Sequence, residues 1–183
     1  MIICITGLPG AGKSTAGRIL ERKGFKVYEL GDIVREMMRR QHIRLTPESD
    51  REFTISLRRK YGKLVTVKHL LKRVKLGSRS KIAIIGVRSK AELDYIRMRG
   101  RRARIVTVAV VAPVKLRFAR IKKRGRPDAP KTLAEFVRNR DDKEAAWGEI
   151  GAIKSADYIV SGSGTNADLE AAISNILEAE GAA

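Results

Sequence analysis

The sequence holds a single cysteine, Cys4, in 183 residues, so it excludes any internal disulfide and points to a reducing compartment. Aromatic residues make up only 5%, which leaves little surface on which nucleobases could stack. No apolar run approaches the roughly 20 residues needed to cross a bilayer, which argues against a membrane partner. The opening MIICITG lacks the basic start and longer apolar stretch of a signal peptide. The expectation is therefore a soluble, cytoplasmic chain. Acidic residues are scarce as well: 20 Asp and Glu stand against 39 Lys and Arg, a formal net charge of +19. What is present suffices for a fold, because an apolar share of 43% can build a core and excludes wholesale disorder. The length suits one domain spanning 1–183.

The charge is concentrated. Residues 35–126 carry 29 Lys and Arg against 6 Asp and Glu, whereas the remainder has 10 against 14. Six acids are too few to neutralise the middle in ion-pair networks, so anionic partners are expected there. These are phosphorylated small molecules or nucleic acid.

Five short, β-branched-rich runs read as strands: Ile2–Thr6, Phe25–Leu30, Ile82–Gly86, Ile105–Val111 and Tyr158–Val160. Most are continuous rather than alternating, as in strands buried on both faces of a parallel sheet. Helical stretches lie between them. Ser89 with Glu92, and Thr132 with Glu135, have capping-box spacing, and Pro113 suits a first helical position. The alternation predicts a three-layer α/β/α sandwich with a five-stranded parallel sheet. Residues 31–80 lack a convincing strand and read as a helical insertion. Residues 124–131, rich in Gly, Pro and basic side chains, read as a mobile link.

Gly7-Leu8-Pro9-Gly10-Ala11-Gly12-Lys13-Ser14 follows the first strand and runs into a helical pattern from Thr15 to Arg22, matching G-x-x-x-x-G-K-[ST] in full. Glycines let successive backbone N–H groups converge on one phosphate, and the helix start adds unpaired donors. Lys13 is expected to reach the outer phosphates of ATP and the Ser14 hydroxyl to join a Mg²⁺ shell. A second cluster, Leu30-Gly31-Asp32-Ile33-Val34-Arg35, follows the second strand. From spacing alone it reads as an Asp32 helix cap with Arg35 one turn on. Gly86-Val87-Arg88 places Arg88 at the carboxyl end of a strand, where ligands of open α/β sheets bind.

With these segments in hand, the chain resembles the nucleoside monophosphate kinase group of P-loop proteins, adenylate kinase included. Gly31, Asp32 and Arg35 match the segment that opens the acceptor lobe in that group, and Arg88 matches its phosphate-holding arginine. Arg120, Arg124 and Arg126 match an arginine-bearing lid, taken here as 120–131, and Arg138–Glu144 matches an Arg- and acid-rich helix. A narrower resemblance covers nearly the whole chain. The P-loop, Leu30–Glu36, Leu45-Thr46-Pro47-Glu48, Leu57–Gly62, Gly86–Ser89, Lys123–Arg126 and Ala156–Ile159 recur in that order in the archaeal UPF0200 family. The segment from Ala156 to Val160 is also similar to the end of dephospho-coenzyme A kinases. The resemblance implies an acid just before Gly86, where this chain has Ile85, and so passes any part in steadying Mg²⁺ to Asp32.

The resemblance implies a kinase moving the γ-phosphoryl of ATP to a nucleotide-like anionic acceptor. Lys13, Asp32, Arg88, Arg120, Arg124 and Arg126 would carry catalysis, with Gly7–Thr15 on the nucleotide and Asp32, Arg35 and Arg88 on the acceptor. Two alternatives stay open: a nucleotide-dependent RNA binder using the basic stretches 58–81 and 97–104, and a non-catalytic nucleotide sensor. Cys4 reads as a buried hydrophobe, and His42 and His69 as structural or surface residues. Trp147 is expected to pack a helix, and Leu64–Val74 to form an amphipathic helix on the core.

Overall fold

Continuous apolar runs become strands here because both faces of their sheet are covered. In the computed structural model, which describes residues 1–125 and 129–182, the strands are β1 (Ile2–Thr6), β2 (Lys26–Glu29), β3 (Ile82–Ile85), β4 (Ile105–Val111) and β5 (Tyr158–Ser161). All pairings are parallel and the order is β2-β3-β1-β4-β5. The first strand therefore lies in the middle, with Ile2 beside Ile82 on one side and Ile105 on the other.

Alternation along the strands divides the core in two. Ile3, Ile5, Val106 and Val108 pack with α1 (Lys13–Arg22) and α10 (Asn166–Ala179) on one face. Ile2, Cys4, Ile82 and Ile84 pack on the other face with α2 (Leu30–Arg40), α4 (Val65–Arg73) and α5 (Lys90–Arg99). The result is a three-layer α/β/α sandwich around a parallel five-stranded sheet, as the sequence predicts. Burying one such Ile or Leu contributes about 1.5–3 kcal/mol, so α1, with Ile19 and Leu20 at 2% and 0% exposure, is firmly seated. Cys4 is fully buried, and burial pushes its thiol up to about 12, which removes it from nucleophilic chemistry.

Between β2 and β3 the chain is helical: α2, α3 (Pro47–Tyr61) and α4. Buried Leu30, Ile33, Val34 and Met38 give α2 an apolar stripe at helical spacing. Within α4, buried Val67 and Leu70 face the core as the sequence pattern predicts. Later elements are α6 (Val114–Lys123), α7 (Leu133–Phe136), a π-helical turn at Val137–Asp141, α8 (Asp142–Ala146) and α9 (Glu149–Lys154).

Several local expectations are corrected. The helix α2 begins at Leu30, with Glu29 as N-cap, so Leu30 belongs to the helix and Asp32 lies inside its first turn rather than capping it. Pro113 is the N-cap of α6, one place before the first helical residue. Ser89 and Thr132 do accept from the backbone of Glu92 and Glu135. Their boxes are not reciprocal, however, because each Glu carboxylate bonds one residue further back, to the N–H of Arg88 and of Lys131. Reciprocal boxes form instead at Thr46 with Ser49 and Thr165 with Asp168. No helix among the described residues is long and apolar enough to cross a membrane.

Candidate functional site

The connection from β1 leads through α1 to β2 on one side of the sheet, and that from β3 leads through α5 to β4 on the other. Loops leaving neighbouring β1 and β3 therefore diverge, and a crevice opens at their carboxyl ends. Residues 7–14 fill its floor. Gly7 has φ +134, and a Cβ there would meet the Val110 carbonyl oxygen at 2.2 Å, so only glycine lets the chain turn this tightly over β4. The first turn of α1 has no side-chain cap and no acid. Its leading N–H groups and partial positive charge thus face the loop, an arrangement suited to an anion.

Lys13 Nζ donates to the Gly7 carbonyl and lies 3.8 Å from Glu149 Oε1. The same carboxylate oxygen accepts from the Gly7 N–H at 3.3 Å, and Glu149 is 1% exposed. Around this contact the cleft is lined by Lys13, Ser14, Arg35, Arg88, Arg124 and Arg140, together with Glu29, Asp50 and Glu149. Cations outnumber acids, as a polyanion's site requires.

Most of the residues expected to act converge, but not all. The guanidinium of Arg35 donates to Asp32 at 2.5 Å and stands 3.6 Å from Glu29, so it is aimed along the rim. Asp32 itself is well exposed and is not among the residues lining the cleft. Arg88 lines the cleft as expected; its N–H donates to Glu92 at 2.7 Å and its guanidinium lies 5.6 Å from the Trp147 ring centre. Arg58 lies 4.3 Å from the same ring. Trp147 is therefore a platform for two arginines, which its expected role in helix packing did not include. Glu92, with no exposed surface, also accepts from Thr66 and Arg58. Burial holds its carboxyl above the ordinary range, against the opposing pull of Arg58.

Arg124 lines this cleft, whereas Arg120 lies behind the loop, its Nη1 3.5 Å from the Ala11 carbonyl. Arg120 and Arg124 line a second cavity with Gly10, Gly12, Thr15, Lys123, Gly162 and Thr165. Arg126 lies outside the described residues. Pro9, Gly10, Gly12, Lys13 and Ser14 line the main cleft and Thr15 the second cavity, while Gly7, Leu8 and the buried Ala11 line neither. The loop after β5 closes on the P-loop from outside: a Cβ on Gly162 would lie 1.9 Å from the Ala11 carbonyl oxygen, so only glycine fits. None of the residues lining the main cleft comes from 58–81 or 97–104.

Three contributors were not singled out from the sequence, Glu149, Asp50 and Arg117, whereas Arg140 belongs to the Arg138–Glu144 segment that the resemblance marked. The only local mark of Glu149 is an acid following Gly148 at a helix start. Arg140 donates to Asp50 at 3.0 Å, linking the π-helical turn to α3 across the mouth of the cleft. Arg117, 4% exposed, donates to both oxygens of Asp141 and to the carbonyls of Pro9 and Ala112. It anchors the P-loop rather than the ligand.

For a magnesium ion, the donors on hand are hard oxygens, the Ser14 hydroxyl and carboxylates, which suit that cation. Among the described residues no group of three or more His, Cys, Asp or Glu forms a metal cage. The site therefore fits an ion that shares its shell with phosphates and water.

A family model described as an AAA domain matches residues 3–146. A UPF0200 protein of Thermococcus kodakarensis is 36% identical over 180 residues, covering 97% of each chain. One from Pyrococcus horikoshii is 35% identical over 168 residues, covering 87% of each. Among solved structures, a shikimate kinase from Bacteroides thetaiotaomicron overlays with a TM-score of 0.66 at 15% identity, covering 99% of this chain and 98% of that one. A gluconokinase from Sinorhizobium meliloti overlays with a TM-score of 0.58 at 16% identity, covering 97% and 94%. These likenesses bear out the P-loop, kinase-like fold.

Proposed function

Because the chain belongs to the UPF0200 family and is a P-loop, kinase-like nucleotide-binding protein, we propose that it is a phosphotransferase carrying the γ-phosphoryl of ATP to a small, nucleotide-like anionic acceptor. The observation that carries this reading is a shared cleft. Lys13 and Ser14 of the P-loop face the same space as Arg35, Arg88 and Arg124, which come from three other parts of the chain. A site that only bound a nucleotide would need the loop; a second ring of arginines is what a second phosphorylated reactant needs.

In this account the amides of residues 7–14 and the Lys13 ammonium hold the donor phosphates, with Ser14 turned to the cation. Magnesium, when bound, offsets charge on the outer phosphates. Arg88, steadied on Trp147 and through its N–H on Glu92, holds the acceptor's phosphate together with Arg35. An acceptor oxygen then attacks the γ-phosphorus as the bond to the β-phosphate oxygen breaks, and ADP leaves with that electron pair. Arg124, which borders both cavities, is placed to follow the charge as it spreads over the moving group. Alignment and cations suffice for most of this chemistry. Asp32 acts by holding Arg35 rather than by touching the reactants.

The test is an ADP-release screen with ATP and Mg²⁺ over nucleoside monophosphates, dephospho-coenzyme A and short RNAs. Turnover with a small phosphorylated acceptor, abolished by Lys13→Ala, is the expected result. Turnover driven by RNA alone, or by no acceptor at all, would overturn the assignment.

A further inference from the structure

The buried acid beside the P-loop is not explained by packing. The helix α9 covers the sheet with Ala152, fully buried, and a carboxylate is not needed for that contact. An acid in a helix's first turn gains about 0.3–1 kcal/mol from the dipole. That is smaller than the several kcal/mol that burying a charge costs. The P-loop offsets part of that cost: Glu149 takes the Gly7 N–H and lies against Lys13. Two other acids line the cleft and each is directed elsewhere, Glu29 to Arg35 and Asp50 to Arg140. Position 85, at the end of β3, cannot substitute. Its isoleucine is 2% exposed and sits among the apolar side chains over α1, close to Gly17.

We infer that Glu149 is the positioning residue for magnesium. Its carboxylate, entering from α9 rather than from the end of β3, lines the same cleft as the Ser14 hydroxyl and would orient the water shell of the ion that accompanies the donor phosphates. With a polyphosphate in the loop, Lys13 would be drawn to it, which would leave the Glu149 carboxylate available to the cation's waters. The inference rests on the nucleotide-binding reading above and adds the source of the metal's carboxylate.

The experiment is calorimetry of ATP binding, with Mg²⁺ and with EDTA, on the wild type, Glu149→Gln and Glu149→Asp, each checked for folding by its melting curve. In the wild type, Mg²⁺ tightens ATP binding. Glu149→Gln loses most of that gain, about tenfold, while binding ATP in EDTA as tightly as the wild type or more so, since the Glu149 carboxylate no longer competes for Lys13. Glu149→Asp regains part of the gain. A full magnesium effect in Glu149→Gln overturns the inference, and a merely structural glutamate would weaken both titrations alike. Should Glu149→Gln not fold, wild-type protein with Mn²⁺ and ATP decides: the amide resonances of Glu149 and Ile150 must broaden, and sharp resonances overturn the proposal. A wild type that binds ATP under neither condition fails the nucleotide reading itself, which is a separate result.

Discussion

Arg117 donates from Nη1 and Nη2 to the two carboxylate oxygens of Asp141, at 2.8 and 2.6 Å, while the same Nη1 reaches the Pro9 carbonyl. One buried guanidinium thereby joins the P-loop to the π-helical turn. Removing the carboxylate leaves that charge without its bidentate partner, which costs about 3–5 kcal/mol for a buried pair. Asp141→Ala is expected to lose about that much in denaturant unfolding. It should also bind nucleotide more weakly, because Pro9 loses its anchor. An unfolding midpoint equal to the wild type would contradict this.

Arg88 should separate acceptor from donor. Charge-assisted hydrogen bonds to a phosphate contribute about 1.5–3 kcal/mol, so Arg88→Ala is expected to raise the acceptor KM by roughly 10- to 150-fold. ATP affinity, measured calorimetrically, should change little. Unchanged acceptor kinetics would remove Arg88 from the acceptor site.

Gly162 should prove intolerant of a single methyl group. A Cβ at this position would stand 1.9 Å from the Ala11 carbonyl oxygen, so Gly162→Ala must push the P-loop or the loop after β5 aside. Weaker ATP binding is expected, together with a lowered melting temperature. Gly24, where nothing lies within 4 Å, is a poor control because its φ is +83. Gly151 has open space and no such φ, and Gly151→Ala should melt as the wild type or above it.

Acid stability follows from Glu180. Its carboxylate accepts from Arg104 at 2.7 and 3.0 Å and from the Tyr158 hydroxyl at 2.9 Å, tying the end of α10 to β4 and β5. The hydrogen bond from Arg104 holds it below its ordinary value of 4.5. A carboxylate lowered on folding adds stability above its unfolded value and loses it as pH falls through the folded one. The melting-temperature gap between wild type and Glu180→Gln should thus be full at pH 7 and shrink below about pH 4.5. A gap independent of pH would contradict the assignment.

The fold was legible in the chain because its strands are buried on both faces and so appear as unbroken apolar runs, and because the P-loop motif names its own surroundings. Lys13, Arg35, Arg88 and Arg124 were legible for a related reason: each lies near a recognisable strand or glycine. Glu149 and Asp50 were not, and Arg140 was marked only through the resemblance of its segment. They meet their partners across long sequence separations, and nothing local to Glu149 shows that α9 will carry it under residue 7. The capping role foreseen for Asp32 failed on a shift of three residues, since Glu29 is the N-cap, α2 starts at Leu30, and the Asp32 carboxylate is left on Arg35. Helix boundaries depend on packing that spacing alone does not reveal.

The proposed function depends on residues 7–14 gripping a nucleotide polyphosphate, and titration calorimetry of ATP with Mg²⁺ into the folded wild type and Lys13→Ala tests it most directly. Saturable heat in the wild type, with affinity reduced at least about tenfold in the variant by the loss of one charged contact, is the predicted result. No heat from the folded wild type, or equal affinities in the two proteins, would contradict it.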